Sequence, residues 1–294
     1  MAQIFERACA LPCFKNPTDV SLLGGGITNV NLYVADMGLE YVVRLGADIP
    51  EHGVMRWNEL ILSRAAHALG IAPKVVYHEP GVLVLEFLKA RTFSEEDVRS
   101  AENLPRIISL ISKIHRRLGS YLTEPVLAFW PYQVNQAYVK RLLAENSRYA
   151  AKLTELIAEQ NKLIAAIGPV DLVIGHNDLL AANILDDETQ LWLIDWEYGG
   201  YNTPLFDLAG LASNSGMTEL QEHDMLSNYF QADVEMYWRP YRAMKCVSLM
   251  RETLWSMTSE LHSEIDFDYT AYTANNLVLF NTALADFNKL KKEK

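Results

Sequence analysis

The sequence lacks the features of membrane, exported and disordered proteins. No run of 18 apolar residues occurs in the 294-residue chain, so no transmembrane helix is predicted. The N-terminus shows no basic segment followed by an apolar core, as a secretory signal would. Charged residues make up 21% and hydrophobic residues 50%, which is enough to build a large core. We therefore expect a cytoplasmic protein without membrane insertion.

Cysteine and positive charge are also scarce. The three cysteines (Cys9, Cys13 and Cys246) show no metal-ligand pattern, and an odd number gives no disulfide framework. All three are expected to be reduced thiols. Lys and Arg number 26 against 37 Asp and Glu, a formal net charge of -11. Because no basic stripe is visible, nucleic acid is not expected as a partner.

What the chain does have is a polar cluster between apolar runs at 171–198, DLVIGHNDLLAANILDDETQLWLIDWEY. Asn183 follows Asp178 by five residues, and a hairpin pattern then leads to Asp195. Phosphoryl transfer needs a carboxylate at the attacking hydroxyl, and an amide and a second carboxylate for metal ions. The spacing is that of the catalytic and metal-binding loops of protein kinases, with H-N-D replacing H-R-D and D-W-E replacing D-F-G.

These polar residues also have a plainer interpretation. Asp178 and Asn183 are residue types that commonly occupy turns and helix caps between buried strands. Three polar residues at kinase spacing, each flanked by apolar runs, favour the catalytic interpretation. For Asp207, which lies between apolar residues, the sequence leaves two alternatives open. It is either buried and hydrogen-bonded to the catalytic loop or a helix N-cap.

A glycine-rich segment near the N-terminus suits an anion. Gly24, Gly25 and Gly26 allow the backbone to approach a phosphate closely and to donate N–H groups to it. Thr28 and Asn29 add side-chain donors at the tip of a predicted hairpin. Taken alone, the segment is more typical of an ordinary glycine-rich turn, since it is not even a G-x-G-x-x-G motif.

The following elements match the nucleotide-binding half of a kinase. A strand predicted from L-E-Y-V-V-R-L at 39–45 carries Arg44 where a kinase keeps its phosphate-binding cation. A helix predicted over 55–69 from its apolar spacing carries Glu59 to pair with it. The apolar strand 82–88 contains Glu86 and Leu88, where a kinase has the hinge that binds adenine. The alternative for Arg44 and Glu59 is an ordinary surface strand and a solvated helix face.

The C-terminal helices are rich in aromatic residues, and such a stripe is usually part of the core. Acidic residues lie among them, at Glu252, Asp266 and Asp268, which opens a second interpretation. Aromatic faces with a nearby carboxylate form cages for quaternary ammonium groups through cation–π contacts. The aromatic residues concerned are Tyr237, Trp238, Tyr241, Trp255, Phe267, Tyr269 and Tyr272.

Together these motifs resemble the choline/ethanolamine kinase family, within the wider group that includes aminoglycoside phosphotransferases. The resemblance covers about 22–272, and its most specific parts are H-N-D-L-x-x-x-N-I-L at 176–185 and I-D-W-E-Y-x-x-x-N-x-x-x-F-D-L-A at 194–209. It implies a bilobal, protein-kinase-like α+β fold. A small antiparallel-sheet lobe is expected over 1–88 and a larger, mainly helical lobe over 89–294.

The resemblance also implies roles for the nucleotide and metal residues. Asp178 would act as the base or orient the substrate hydroxyl, and Asn183 and Asp195 would bind Mg²⁺. The glycine segment through Asn29 would cover the phosphates of ATP, while Arg44, held by Glu59, would bind them. The backbone at Glu86 and Leu88 would meet adenine.

For the acceptor, the resemblance implies an aromatic enclosure of a trimethylammonium group. The aromatic residues it points to are Tyr198, Trp255, Phe267, Tyr269 and Tyr272. Glu252 stands where the animal enzymes carry a second Trp, and it could supply charge in place of an aromatic face. The run R-E-T-L-W at 251–255 looks more like that of bacterial choline kinases.

We therefore predict ATP-dependent phosphorylation of a small amino alcohol, with choline as the first choice and ethanolamine as the second. Thiamine and aminoglycosides are further acceptors within the same chemistry. A nucleotide-binding pseudokinase is the alternative from another class, although Asp178, Asn183 and Asp195 are all present, which speaks against it. The sequence leaves the oligomeric state open between monomer and homodimer.

Overall fold

The computed structural model describes residues 2–24, 29–263, 265 and 267–290. Within these residues the fold is α+β, with an antiparallel sheet in the first part of the chain and mainly helices after it. The predicted α+β class, with the sheet first and the helices second, is confirmed.

The first part is built on a five-stranded sheet with the order β1-β2-β3-β5-β4, and all neighbouring strands are antiparallel. Its elements are α1 (Ala2–Cys9), β1 (Pro17–Leu23), β2 (Val30–Asp36), β3 (Leu39–Leu45), α2 (Arg56–Ala68), β4 (Val75–Glu79) and β5 (Val82–Glu86).

Strand alternation divides this sheet into two faces. Leu32 on β2 pairs with Val43 on β3, and both are fully buried in a small core that α1 also joins. Because successive side chains point to opposite faces, the neighbouring pair Asn31 and Arg44 lies on the other face. That second face forms one wall of the cleft described below.

The second part is mainly helical, with two small sheets of order β6-β8-β9 and β10-β7. Short 3₁₀ helices occur at Leu118–Tyr121 and Ala181–Asn183. The remaining elements are β6 (Arg91–Thr92), α3 (Glu95–Arg99), α4 (Asn103–Arg117), α5 (Pro131–Ala144), α6 (Ala150–Ile167), β7 (Val173–Gly175), β8 (Ile184–Asp186), β9 (Leu191–Leu193), β10 (Gly200–Asn202), α7 (Pro204–Asn214), α8 (Glu219–Phe230), α9 (Glu235–His262) and α10 (Tyr269–Lys289).

Helix α9 is the centre of this helical part, and it packs against α5, α6, α7 and α10. It has 28 residues, and much of it is buried, including hydroxyl side chains. Thr253 Oγ1 and Thr258 Oγ1 donate to the carbonyls of the preceding turn at 2.8 and 2.9 Å, so their burial leaves no unpaired hydroxyl. None of the helices within the described ranges is both long enough and apolar enough to cross a membrane.

Candidate active site

A cleft of about 760 Å³ separates the five-stranded sheet from the helical part. The sheet side contributes Gly24, Arg44, Glu86 and Leu88 to its walls. The helical side contributes Asp178, Asn183, Asp195, Tyr198, Glu252, Trp255 and Tyr272. The structure thus brings most of the predicted site residues to one cleft.

The catalytic loop between β7 and β8 is hydrogen-bonded to the buried carboxylate of Asp207 on α7. The Asp207 carboxylate accepts hydrogen bonds from the backbone N–H of His176 at 2.8 Å and from that of Asn177 at 2.7 Å. His115 Nε2 lies 2.9 Å from the same carboxylate. A Cβ at Gly175 would lie 3.1 Å from Oδ2 of Asp207, so this close approach favours glycine there.

Of the two alternatives for Asp207, the structure therefore supports the buried one. The N-cap of α7 is Thr203, whose side chain accepts from Leu205 N, and Asp207 lies inside the first turn. Burial would raise the pKa of Asp207, but the His115 hydrogen bond and the nearby charges bring it below the ordinary value.

Asp178 and Asn183 both lie in the catalytic loop, and Asn183 is its last residue. Asn183 Nδ2 donates to the Asp178 carbonyl at 3.0 Å, which leaves Asn183 Oδ1 as the acceptor on that amide. Burial raises the pKa of Asp178 to about 8, with Arg251 opposing and Glu252 and Asp195 adding to the rise. A carboxyl group with such a pKa can exchange a proton near neutral pH.

Asp195 follows β9 and has a left-handed backbone, with φ of 67°. Asp is one of the few residue types that tolerates this conformation. Its Oδ1 accepts from Arg44 Nη1 at 2.6 Å. Burial opposes ionisation of Asp195, but Arg44, together with His176 and Arg56, lowers the pKa of the carboxyl group. Asp195 is therefore a carboxylate at neutral pH.

Arg44 also makes the predicted pair with Glu59 on α2. Arg44 Nη1 lies 2.6 Å from Glu59 Oε1, and both side chains are buried. Sequence reasoning did not assign Arg56 or Glu197, which extend this pair into a network. Arg56 Nη1 lies 2.6 Å from Glu59 Oε2 and 3.1 Å from Glu197 Oε2. The i,i+3 spacing of Arg56 and Glu59 was a usable signal for the first of these contacts.

The nucleotide side of the cleft is described in part. Gly24 lies in the cleft wall, and Asn29 Nδ2 donates to Glu197 Oε2 at 2.9 Å. Gly25, Gly26 and Thr28 lie outside the described residues. Their predicted contacts with the phosphates stay predictions.

The chain leaves the sheet along the cleft at Glu86 to Leu88. Phe87 N donates to Glu40 O at 3.0 Å, and Ala90 N donates to Leu88 O at 3.0 Å. Within the described residues the Leu88 N–H has no backbone acceptor, so it is available to a ligand. The adenine contact that the resemblance implies for this segment stays a prediction.

Aromatic residues form the end of the cleft beyond Asp178. Trp255 Nε1 donates to the Tyr198 hydroxyl at 2.9 Å, and Tyr272 stands edge-on to Trp255 with ring centres 6.3 Å apart. These three residues line the cleft. Phe267 and Tyr269 are not among the residues that line the cleft, and they pack behind its aromatic wall. The ring centre of Phe267 lies 5.6 Å from that of Tyr272, and the ring centre of Tyr269 lies 6.0 Å from that of Trp255.

Glu252 lies in the same wall, and each of its oxygens accepts a hydrogen bond. The Tyr272 hydroxyl donates to Oε1 at 2.8 Å, and Arg251 Nη1 donates to Oε2 at 2.7 Å. Asp266, the acidic neighbour noted in the sequence, lies outside the described residues. Asp268 caps α10 by accepting from Ala271 N at 2.9 Å, which is a structural role.

One protein-family model matches most of this chain. The model described as choline/ethanolamine kinase matches residues 20–223, which is more than half of the chain. The chain belongs to the choline/ethanolamine kinase family. Membership confirms the predicted family and the predicted enzyme class, an ATP-dependent kinase of small molecules.

Known proteins of this family are similar along most of the chain. A probable ethanolamine kinase of Arabidopsis thaliana is 26% identical over 286 residues, covering 86% of this chain and 76% of that protein. The solved choline kinase LicA of Streptococcus pneumoniae has a TM-score of 0.78 at 24% identity, covering 98% of both chains. The solved structure of a choline/ethanolamine kinase family protein of Mesorhizobium loti also has a TM-score of 0.78 at 24% identity, covering 97% of this chain and 93% of that protein. The predicted kinase-like fold is confirmed.

The loop between β3 and α2 contacts the aromatic wall through His52, a residue that the sequence did not single out. His52, between β3 and α2, lies 3.2 Å from the Tyr138 hydroxyl through Nδ1 and 3.2 Å from Ser259 Oγ through Nε2. Its ring packs on Trp255 with centres 5.1 Å apart. Burial lowers the pKa of His52 to about 3, so the ring is neutral. No local sequence signal distinguishes this histidine.

Proposed function

We propose that this protein transfers the γ-phosphate of ATP to the hydroxyl group of choline and releases phosphocholine. One observation carries the choice of choline. The carboxylate in the acceptor wall, Glu252, already accepts hydrogen bonds from Tyr272 and Arg251. A primary ammonium needs acceptors for its N–H groups, whereas a trimethylammonium group needs none and gains from aromatic faces. Tyr198, Trp255 and Tyr272 provide aromatic side chains in that wall.

Asp178 would orient the choline hydroxyl and accept its proton as the oxygen attacks the γ-phosphorus. The hydroxyl oxygen forms the new P–O bond, the bond to the bridging oxygen breaks, and ADP leaves with the electron pair. This role agrees with the position of Asp178 in the cleft, beside the aromatic wall, and with a pKa raised by burial to about 8. With a raised pKa, ionised Asp178 is a stronger base than an ordinary aspartate.

Arg44 and the backbone around Gly24 would hold the phosphates of ATP, with Glu59 fixing the arginine. Asn183 Oδ1 and the second oxygen of Asp195 are hard oxygen donors in the same cleft, which suits Mg²⁺. Among the described residues no three His, Cys, Asp or Glu side chains cluster as a complete metal site. Phosphate oxygens and water complete the coordination in sites of this kind. When bound, Mg²⁺ neutralises charge on the phosphates.

The test is a coupled assay of ADP release with ATP and Mg²⁺, comparing choline, ethanolamine, thiamine and kanamycin at equal concentration. We expect kcat/KM for choline to exceed that for each of the others by at least tenfold. A higher kcat/KM for ethanolamine would reject the choline assignment and make the protein an ethanolamine kinase. ATP binding without ADP release from any of the four would contradict the proposal and favour the pseudokinase alternative.

Asp178→Asn is the matched variant for the catalytic role, since it keeps the size and removes the base. We expect its kcat with choline to fall by at least about a hundredfold, with ATP binding measured by calorimetry nearly unchanged. Turnover equal to that of the wild type would show that Asp178 is not the base.

A further inference from the structure

A buried arginine stands in the wall of a cleft proposed to bind a cation. Arg251 is 4% exposed and lines the cleft together with Asp178 and Glu252. A guanidinium group is charged at any pH that the protein meets. A buried cation at this position would repel a cationic acceptor unless its charge is compensated.

Two kinds of contact compensate this charge. Arg251 Nη1 lies 2.7 Å from Glu252 Oε2. The guanidinium carbon lies 4.5 Å from the ring centre of Tyr198 and 5.4 Å from that of Phe129, within the range of cation–π contacts. Nε and Nη2 are buried and have no hydrogen-bond partner in the described part of the chain. The arginine therefore depends on Glu252 for its only direct charge-assisted hydrogen bond there.

The pairing also determines what Glu252 can offer to a ligand. Its Oε1 accepts from the Tyr272 hydroxyl at 2.8 Å and its Oε2 from Arg251. An arriving primary ammonium would find a neutralised carboxylate and would lose its own hydrogen bonds to water. A quaternary ammonium has no N–H group, so the same pairing costs it little.

We propose that Arg251 is a specificity-determining residue, which favours a quaternary over a primary ammonium group by keeping the Glu252 carboxylate occupied. The inference rests on the proposed function, because it concerns the acceptor half of that site. Glu252 then serves mainly as the partner of Arg251 and only secondarily as a counter-ion for the substrate.

The experiment measures kcat/KM for choline and for ethanolamine in four proteins: wild type, Arg251→Met, Glu252→Gln and the double variant. Methionine has a length similar to that of arginine, so it continues to cover the Tyr198 ring while it frees Glu252. We expect the choline-to-ethanolamine ratio to fall about tenfold or more in Arg251→Met, mainly through a lower KM for ethanolamine.

The other variants separate the carboxylate from general damage. Glu252→Gln leaves Arg251 unpaired, so kcat/KM falls for both cations and the ratio changes little. In the double variant no carboxylate is freed, so the ratio returns towards that of the wild type. Arg251→Lys can still pair with Glu252 and keeps the ratio within about threefold of the wild type.

The inference is overturned if Arg251→Met, folded by its melting curve, keeps the wild-type ratio, or if the double variant shows the same fall. A wild type that prefers ethanolamine would reject the proposed function. A fall of the choline-to-ethanolamine ratio in Arg251→Met, but not in the double variant, would still support the role of Arg251. Should Arg251→Met fail to fold, inhibition of the wild type replaces it. Tetramethylammonium should compete with choline at least tenfold better than methylammonium, and equal competition would contradict the inference.

Discussion

Replacing Asp207 by asparagine tests how the catalytic loop is held. The carboxylate accepts from His176 N at 2.8 Å, from Asn177 N at 2.7 Å and from His115 Nε2 at 2.9 Å. Asparagine has the same shape but keeps one acceptor oxygen, and its NH₂ group would face a donor. A buried hydrogen bond to a charged group contributes about 1.5–3 kcal/mol. One of the three bonds is lost, and the two that remain are weakened because the charge is gone. We expect the free energy of unfolding to fall by about 3–5 kcal/mol.

The assay is urea unfolding at pH 7, together with kcat and both KM values for the folded fraction. Because His176 and Asn177 lead directly into Asp178, we expect kcat to fall by at least tenfold with little change in the KM for ATP. Asp224→Asn is the matched control, since it makes the same change at an exposed position on α8. That variant should stay within about 0.5 kcal/mol of the wild type.

The effect of Asp207 also has a defined pH dependence. Burial would raise the pKa of this carboxyl group, but the contacts with His115 and His176 together lower it in the folded protein. Its stabilising contribution is therefore present above the ordinary Asp pKa and is lost as the pH falls through the folded value. The difference between wild type and Asp207→Asn should narrow in acid. An unfolding midpoint equal to that of the wild type at pH 7 would refute the reasoning.

Other side chains of the site lead to four more predictions. Because the pKa of Asp178 is about 8, kcat/KM for the acceptor should rise with pH and level off above that value, and a flat profile between pH 6 and 8 would contradict this. For the same reason the wild type should lose stability relative to Asp178→Asn as the pH rises from about 4 to about 8. Arg44→Lys keeps the charge but loses the planar guanidinium group with its paired donors, so the KM for ATP should rise about tenfold while the KM for choline stays unchanged. Equal changes in both KM values would argue against a phosphate-binding role for Arg44. His52→Ala removes the ring that packs on Trp255, so the KM for choline should rise about three- to tenfold at constant KM for ATP. His52→Phe should recover part of this loss. No recovery would mean that the hydrogen bonds of His52 matter more than its ring.

Local pattern was sufficient to predict much of the secondary structure. The strand expected from L-E-Y-V-V-R-L is β3, with the bounds Leu39–Leu45, and the helix expected over 55–69 is α2. The hairpin that delivers Asp195 is β8 and β9. The alternating charge over 132–167 predicts one long, mostly helical segment, whereas the structure has α5 and α6 with a break at Asn146, whose φ is 56°. Asn is one of the few residue types that adopt a left-handed conformation after a helix, so Asn146 was a usable but weak signal for the end of α5.

The motif residues of the site were predictable, but their supporting contacts were not. Asp178, Asn183 and Asp195 were found from spacing because one loop and one hairpin fix their separation. The partners of Asp207 and of Glu252 come from segments far apart in the chain, such as His115 and Tyr272. Such contacts depend on how helices pack, which a single sequence does not encode in any short pattern.

The same long-range contacts determine how the nucleotide and acceptor halves of the cleft are related. Asn58 on α2 donates to Gly199 O and accepts from Leu127 N, and His52 in the preceding loop contacts Tyr138 and Ser259. Moving α2 away from the helical part would break these four hydrogen bonds together. At about 1 kcal/mol each, the displacement costs on the order of 4 kcal/mol, so about one molecule in a thousand would be displaced.

The Arg44–Glu59 pair is therefore fixed by the fold itself. In protein kinases the equivalent ion pair depends on a helix whose position is controlled. Here Glu59 lies one residue after Asn58, and the Arg56–Glu197 contact adds an ion pair across the same boundary. A substitution that loosens α2 should consequently disturb both KM values, because the segment that carries Glu59 also carries the ring that supports Trp255. Changes confined to acceptor binding are expected only where α2 keeps its position, as in Arg251→Met, or in His52→Ala while both hydrogen bonds of Asn58 remain.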